Sequence, residues 1–267
     1  MLDVMIFSKN RPLQLDCLLT SLEKLTNIEM KNVYVLHKYE KEFKEGLNIL
    51  KDIHKDVNFI EEDNFESQVK LFLMNGQKFC TFFVDDIIIK EEIDYRVPCN
   101  VLENNPQVLT FSFRLGTHLT YCYPVSSSQP VPNGNINSQF FVWDWRKSPL
   151  DWGYPFSLDG HIFRRSEFEG WSSHLKFSNP NQFESELQKI PKIYKLPELA
   201  CCYLLSRAFN APLNRVQDEF KNRNEGMSVE DLYSEWMRGK KIDSDSLVGF
   251  INRAAHHPVS ISLKDRS

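Results

Sequence analysis

The sequence predicts an α/β fold in which a mainly parallel central sheet is flanked by helices and followed by a helical C-terminal extension. Two observations carry the prediction. Through the first hundred residues, short β-branched and aromatic runs alternate with stretches whose apolar residues recur at helical spacing, the pattern of parallel strands joined by helices. From Pro197 onward the apolar residues follow helical spacing alone.

Each element has its own signal. Residues 2–7 (LDVMIF) read as a strand, 13–25 as a helix, 32–36 (NVYVL) as a strand, 41–53 as a helix and 57–60 as a third strand. Asp63 or Asn64 caps a helix over residues 65–74, Asn75-Gly76 ends it, and residues 79–84 supply a fourth strand. After about residue 100 the alternation stops. Residues 108–113 (VLTFSF) and 139–145 (QFFVWDW) read as strands around a Ser-, Pro-, Gly- and Asn-rich segment, 126–137, that reads as a mobile loop. Helices are expected over 198–209, 213–223, 228–237 behind a capping Ser228, and 244–254. No repeat or low-complexity linker divides the chain, so one domain over residues 1–267 is expected.

Composition narrows the function classes. With 42% hydrophobic and 25% charged residues the chain reads as an ordinary globular protein, and a net charge of −4 leaves no basic footprint for nucleic acid. The N-terminal apolar run is broken by Lys9 and Arg11, and no stretch approaches the ~18 apolar residues of a membrane span, so a cytoplasmic location is expected. The six cysteines lack the Cys-x-x-Cys spacing of zinc or redox sites and read as reduced thiols.

The stretch TFFVDDIIIK, residues 81–90, sets two adjacent carboxylates inside a run that otherwise reads as a fully buried strand. The conflict resolves if the strand ends at Val84 and Asp85 and Asp86 emerge at its carboxyl end, where parallel sheets gather their ligands. The turn after the first strand, Ser8-Lys9-Asn10-Arg11-Pro12, has no glycine, and neither Gly-x-Gly-x-x-Gly nor Gly-Lys-Ser/Thr occurs. Dinucleotide oxidoreductases and P-loop enzymes are thereby disfavoured. A diphosphate can instead be neutralised by Mg²⁺ or Mn²⁺ held on carboxylates.

An Asn-Arg-Pro turn after the first strand and paired aspartates ending the fourth resemble the GT-A fold of nucleotide-diphospho-sugar transferases, family 2-like glycosyltransferases in particular. The resemblance covers about residues 1–165. It implies a nucleotide-binding half over 1–100, an acceptor-side half over 101–196, and a helical extension and tail over 197–267. The motif window reads Val84-Asp85-Asp86, so its first acidic position is Val. The resemblance further implies Mn²⁺ or Mg²⁺ on Asp86, Asp85 reaching ribose or a metal-bound water, and a third ligand from the tail pair His256-His257. Ser8, Asn10, Arg11 and Glu61 would contact the nucleotide and Lys70 a phosphate.

A second constellation, WGYPFSLDGHIFRR over residues 152–165, packs a carboxylate, an imidazole, two guanidinium groups and aromatic rings into fourteen residues. Inverting sugar transfer needs a base for the acceptor hydroxyl, and Asp159 is the candidate. Trp152, Tyr154 and His161 are the acceptor-side candidates. Alternatively, Asp159-Gly160 is only a hairpin turn between strands ending at Phe156 and beginning at Ile162. The expected function is metal-dependent transfer of a sugar, with inversion, from a UDP- or GDP-linked donor to a carbohydrate or other hydroxyl acceptor. A nucleotidyltransferase is disfavoured by the glycine-free first turn. A catalytically degenerate carbohydrate- or partner-binding module is the alternative that Val84 favours.

Overall fold

The computed structural model describes residues 1–214 and 227–266. Strands β1 (Leu2–Lys9), β2 (Val33–Lys38), β3 (Asn58–Glu61) and β4 (Phe79–Val84) run parallel, and α1 (Pro12–Leu25), α2 (Lys44–Ile53) and α3 (Phe65–Met74) connect them. Next come β5 (Ile87–Ile89), α4 (Arg96–Asn104), β6 (Val108–Ser112), β7 (Tyr121–Cys122), β8 (Ser127–Ser128), β9 (Gly134–Asn137) and β10 (Phe140–Asp144). The chain continues through β11 (His161–Arg164), α5 (Arg165–Ser172), α6 (Pro180–Leu187), β12 (Leu199–Tyr203), β13 (Ala208–Asn210), α7 (Val229–Met237), β14 (Lys240–Ile242) and β15 (Leu263–Asp265).

Nine strands form the central sheet in the order β3-β2-β1-β4-β11-β6-β12-β10-β9. β11 runs antiparallel between β4 and β6, and β12 lies parallel to β6. The carboxyl ends of β1, β4, β6 and β12 therefore meet the amino end of β11 along one rim. Two-residue periodicity divides β1 between two cores, with Leu2, Val4 and Ile6 on one face and Met5 and Phe7 on the other. The first face packs against α1, α2 and α7, the second against α3, α5 and α6. Coverage on both faces explains why β1 and β4 read as unbroken apolar runs. Local chemistry sets the helix starts: Asn64 Oδ1 accepts from Ser67 N at 2.9 Å, and Ser228 Oγ from Asp231 N at 2.9 Å.

The expected helical extension is corrected. Residues 198–209 form β12 and β13, not a helix, and residues 244–254 hold only a 3-10 turn at Ser244–Leu247. Leu199-Ala200-Cys201-Cys202-Tyr203 is a continuous apolar run, in which a helix and a doubly covered strand have the same composition. Its packing has a period of two, with Ala200 and Cys202 in one core and Cys201 and Tyr203 in the other. The expected helix over 213–223 falls mostly outside the described residues, and α7 is found as expected. Residues 126–137, read as a loop, contain β8 and the edge strand β9. Among the described residues no helix is long and apolar enough to cross a membrane.

Gly160 fixes the junction before β11. Its N–H donates to Phe82 O at 2.8 Å and its carbonyl accepts from Phe113 N at 2.9 Å, so it bridges the ends of β4 and β6. Its φ of +73° is one that side chains disfavour, and a Cβ there would lie 2.9 Å from the Phe83 ring. Gly160→Ala should therefore lower stability by about 1–3 kcal/mol, read by urea denaturation.

Candidate active site

The rim where the strand ends converge carries most of the residues singled out above. After β1 the chain turns through Asn10, whose φ of +56° is left-handed and whose Oδ1 accepts from Glu40 N at 2.9 Å. Ser8 Oγ lies 3.2 Å from Tyr39 Oη. This pinned turn aims Arg11 at β4, where Nη1 donates to Asp85 Oδ1 at 2.9 Å and lies 3.6 Å from Asp86 Oδ2. Arg11 Nη2 donates to Asn214 O at 2.6 Å. Lys9 N donates to the other Asp85 oxygen at 3.2 Å. Asp85 is thus buried with both oxygens occupied. It fastens β1 to β4.

Asp86 is the acid with free capacity. Its Oδ1 accepts from Asn210 Nδ2 at 3.0 Å, whereas among the described residues Oδ2 has only the longer Arg11 contact. Burial, with Asp85 and Asp159 adding repulsion against the relief from Arg11, pushes its carboxyl up to about 6.

Across the rim, Arg114 follows β6 and is buried among acceptors. Its Nη1 donates to Asp159 Oδ2 at 2.8 Å and Asn210 Oδ1 at 2.9 Å, and its Nη2 to Ser157 Oγ at 2.9 Å. Ser157 Oγ also accepts from Asp159 N at 3.3 Å and bonds to Glu184. Glu184, on α6, accepts from Leu158 N at 2.9 Å and pairs with the Tyr154 hydroxyl. Burial first, then the charge of Asp159, pushes Glu184 up to about 7. Sequence reasoning missed Arg114, Asn210, Ser157 and Glu184. Arg114 in the apolar run FSFRLG was the available signal, a charge where a buried side chain is expected; Glu184 and Glu186 flank the Phe183–Leu187 stripe alike, so no local signal singles out Glu184.

The tail does fold back. Asn210 N donates to Ala255 O and His257 N to Asn210 O, both at 2.9 Å, which brings His256 within 3.3 Å of Arg114 Nη1 and 3.8 Å of Asp159 Oδ2. Burial and Arg114 push His256 down to about 4, so its imidazole is neutral near pH 7. His257 is turned away, with Nδ1 accepting from Arg253 N at 3.2 Å and its ring against Phe250.

Burial corrects two expected contacts, those of Trp152 and His161. Trp152 is 1% exposed and packs edge-on against Trp143 and Phe141, so no sugar reaches its ring. His161 is 2% exposed and donates from Nδ1 to Pro155 O at 3.1 Å, on the core side of β11. Lys70 lies on the flank of α3, held by Glu66 at 2.9 Å and Leu175 O at 2.9 Å. Glu61 is exposed at the end of β3 beside Lys44, two strands from β1. No strand ends at Phe156, so Asp159-Gly160 is not a hairpin between two strands.

The metal set Asp86, His256 and His257 is not assembled. Among the described residues no three His, Cys, Asp or Glu side chains converge closely enough to hold an ion by themselves. The charge of the rim nevertheless fits a cation. Among the described residues, Asp85, Asp86, Asp159 and Glu184 gather around two guanidinium groups, Arg11 and Arg114, and Asp86, whose Oδ2 is weakly engaged, is pushed up. Asp86 would hold such an ion, the remaining ligands coming from diphosphate and water.

No family model matches the chain. It is 28% identical to the bifunctional glycosyltransferase pgtA of Dictyostelium discoideum over an alignment of 267 residues covering 86% of this chain. In sequence this chain is similar to a glycosyltransferase. The alignment covers 34% of pgtA, so the chain spans about a third of that relative's length. Among solved structures, S. aureus TarS 1-349 in complex with UDP-GlcNAc is 15% identical, with a TM-score of 0.47 over 89% of this chain and 64% of that one. The mannosyltransferase PcManGT from Pyrobaculum calidifontis, in complex with GDP-Man and Mn²⁺, is 9% identical, with a TM-score of 0.39 over 76% of this chain and 56% of that one.

The raised Glu184 carboxyl has a stability consequence. A folded value of about 7, above the ordinary carboxylate range, means the folded chain holds this proton more tightly than the unfolded chain. Its favourable contribution is complete below the ordinary range and is lost as pH rises through about 7. Relative to the wild type, Glu184→Gln should therefore gain on the order of 1–3 kcal/mol between pH 5 and 8, read as the difference between two urea-denaturation profiles.

Proposed function

We propose that the chain is a glycosyltransferase acting on a nucleotide-diphosphate sugar, UDP- or GDP-linked, with a carbohydrate or other hydroxyl acceptor. The observation that carries this reading is a rim with two differently tuned acidic positions: Asp86 beside Arg11 on one side, and Asp159 with Glu184 around Arg114 on the other. The resemblance to pgtA supports it independently.

In this reading the diphosphate lies beside Arg11 and Asp86. Mn²⁺ or Mg²⁺ held there would neutralise charge on the departing nucleotide. The Arg11 guanidinium, fixed by Asp85, supplies a preorganised positive charge next to the same oxygens. The acceptor hydroxyl approaches from the side of Tyr154 and Glu184. A base works best with a value near the operating pH, which suits the Glu184 carboxyl, pushed up to about 7; Asp159 is instead engaged by Arg114 Nη1 at 2.8 Å. Glu184 takes the hydroxyl proton as the oxygen bonds to the anomeric carbon. Asp159, oriented by Arg114, faces the positive charge that develops on the sugar. One proton acceptor and direct displacement give inversion, which NMR of the product anomer tests.

Screening UDP- and GDP-hexoses for hydrolysis and transfer tests the reading as a whole. Asp86→Asn should weaken Mn²⁺-dependent nucleotide binding by about tenfold or more, roughly 1.4 kcal/mol, in calorimetry. Unaltered metal-dependent affinity would remove Asp86 from the donor site. Glu184→Gln should leave nucleotide affinity in place and lower kcat by about 10²–10⁴-fold. In the wild type, kcat/KM should rise with pH through about 7, and that dependence should vanish in the Gln variant. Val84 in place of an acid favours the second reading, a degenerate sugar-binding module; sugar binding indifferent to metal and nucleotide would select it.

A further inference from the structure

We infer that Asn210 is a positioning residue that ties the donor-side carboxylate Asp86 to the acceptor-side pair Arg114 and Asp159, an inference that rests on the glycosyltransferase reading. The residue is 1% exposed and its polar groups are engaged on both sides. Nδ2 donates to Asp86 Oδ1 at 3.0 Å while Oδ1 accepts from Arg114 Nη1 at 2.9 Å. The backbone pairs with Ala255 and His257, and β13 sets Asn210 opposite Ile87, the residue after Asp86.

The chemistry of the bridge is specific. Asp86 as a carboxylate only accepts and Arg114 only donates, so the group between them must do both. A primary amide does so without carrying charge, and its two partners fix which way round it sits. A leucine of similar size would satisfy neither. The amide also separates opposite charges. Without it, Asp86 and Asp159 would compete for Arg114, and a guanidinium drawn toward Asp86 would leave Asp159 and Ser157. Asn210 thus has two effects at once. It occupies Asp86 Oδ1, leaving Oδ2 for the donor, and it holds Arg114 on Asp159.

The test is a double-mutant cycle on the full chain, with UDP and GDP each offered with Mn²⁺ in calorimetry, and with hydrolysis of UDP- and GDP-hexoses giving KM and kcat. Asn210→Leu should weaken Mn²⁺-nucleotide binding about tenfold and lower kcat about tenfold or more. In an Asp159→Asn background the same substitution should lower kcat far less, because Arg114 no longer has its carboxylate to be held against. Asn210→Ser, whose hydroxyl both donates and accepts, should recover part of each loss, and it carries the cycle if the leucine variant does not fold. Additive effects on kcat would overturn the inference. So would losses that track melting temperature while the folded fraction keeps wild-type KM and kcat. A wild-type chain that binds neither nucleotide and hydrolyses no nucleotide sugar would overturn the glycosyltransferase reading and this inference with it. Wild-type binding and turnover together with an unaffected leucine variant would overturn the inference alone.

Discussion

The buried pair between Arg11 and Asp85 is the interaction on which the rim depends. It joins the turn after β1 to the end of β4, two neighbouring parallel strands, and Arg11 reaches on to the Asn214 carbonyl. Removing one partner of such a pair leaves an uncompensated buried charge, at a cost of about 3–5 kcal/mol. The pair therefore fixes where β4 hands over to Asp86, and every further contact on the rim is measured from there. Asn10, in its left-handed conformation and bonded to Glu40 N, holds the turn that aims the guanidinium.

With Asp85 engaged by Arg11, the other described acids of the rim differ in their surroundings. Asp86 and Glu184 are both pushed up, by burial first and by neighbouring carboxylates second, while Asp159 bonds Arg114 directly. The two sides of the rim therefore differ in kind. One has a permanent cation and a carboxylate in need of another positive charge, which suits a diphosphate and its counter-ion. The other has a carboxyl whose proton is exchangeable near neutral pH, which suits a hydroxyl nucleophile.

The N-terminal half was legible because its signals are local. The bounds of α3 and β4 follow from Asn64, from Asn75-Gly76 and from an apolar run broken by two aspartates. The reading of Asp85 and Asp86 as a strand-end pair holds, but their division of labour depends on Arg11, seventy-four residues away, and no local pattern encodes it. Beyond residue 100 the signals weaken for a physical reason. β12 is covered on both faces and lies beside β6, so it lacks the alternation that would have separated it from a helix. Trp152 was misread for a related reason: it has the composition of a sugar platform, yet its ring completes a cluster with Trp143 and Phe141.

The absent acid at Val84 makes sense of the polar residues contributed from far along the chain. A strand end with acids at both flanking positions can share a ligand between them. Here Asp85 is tied to Arg11 and Lys9 N, so Asp86 is the carboxylate beside Arg11 whose orientation no neighbour on β4 controls. Orientation comes instead from Asn210 on β13, itself held by the tail through Ala255 and His257. The same tail brings neutral His256 against Arg114 and Asp159. Segments after residue 200 thus supply the constraint that the strand-end motif lacks. The C-terminal region belongs to the chemistry of the rim, and a fragment ending at β12 would keep the acids and lose the groups that aim them.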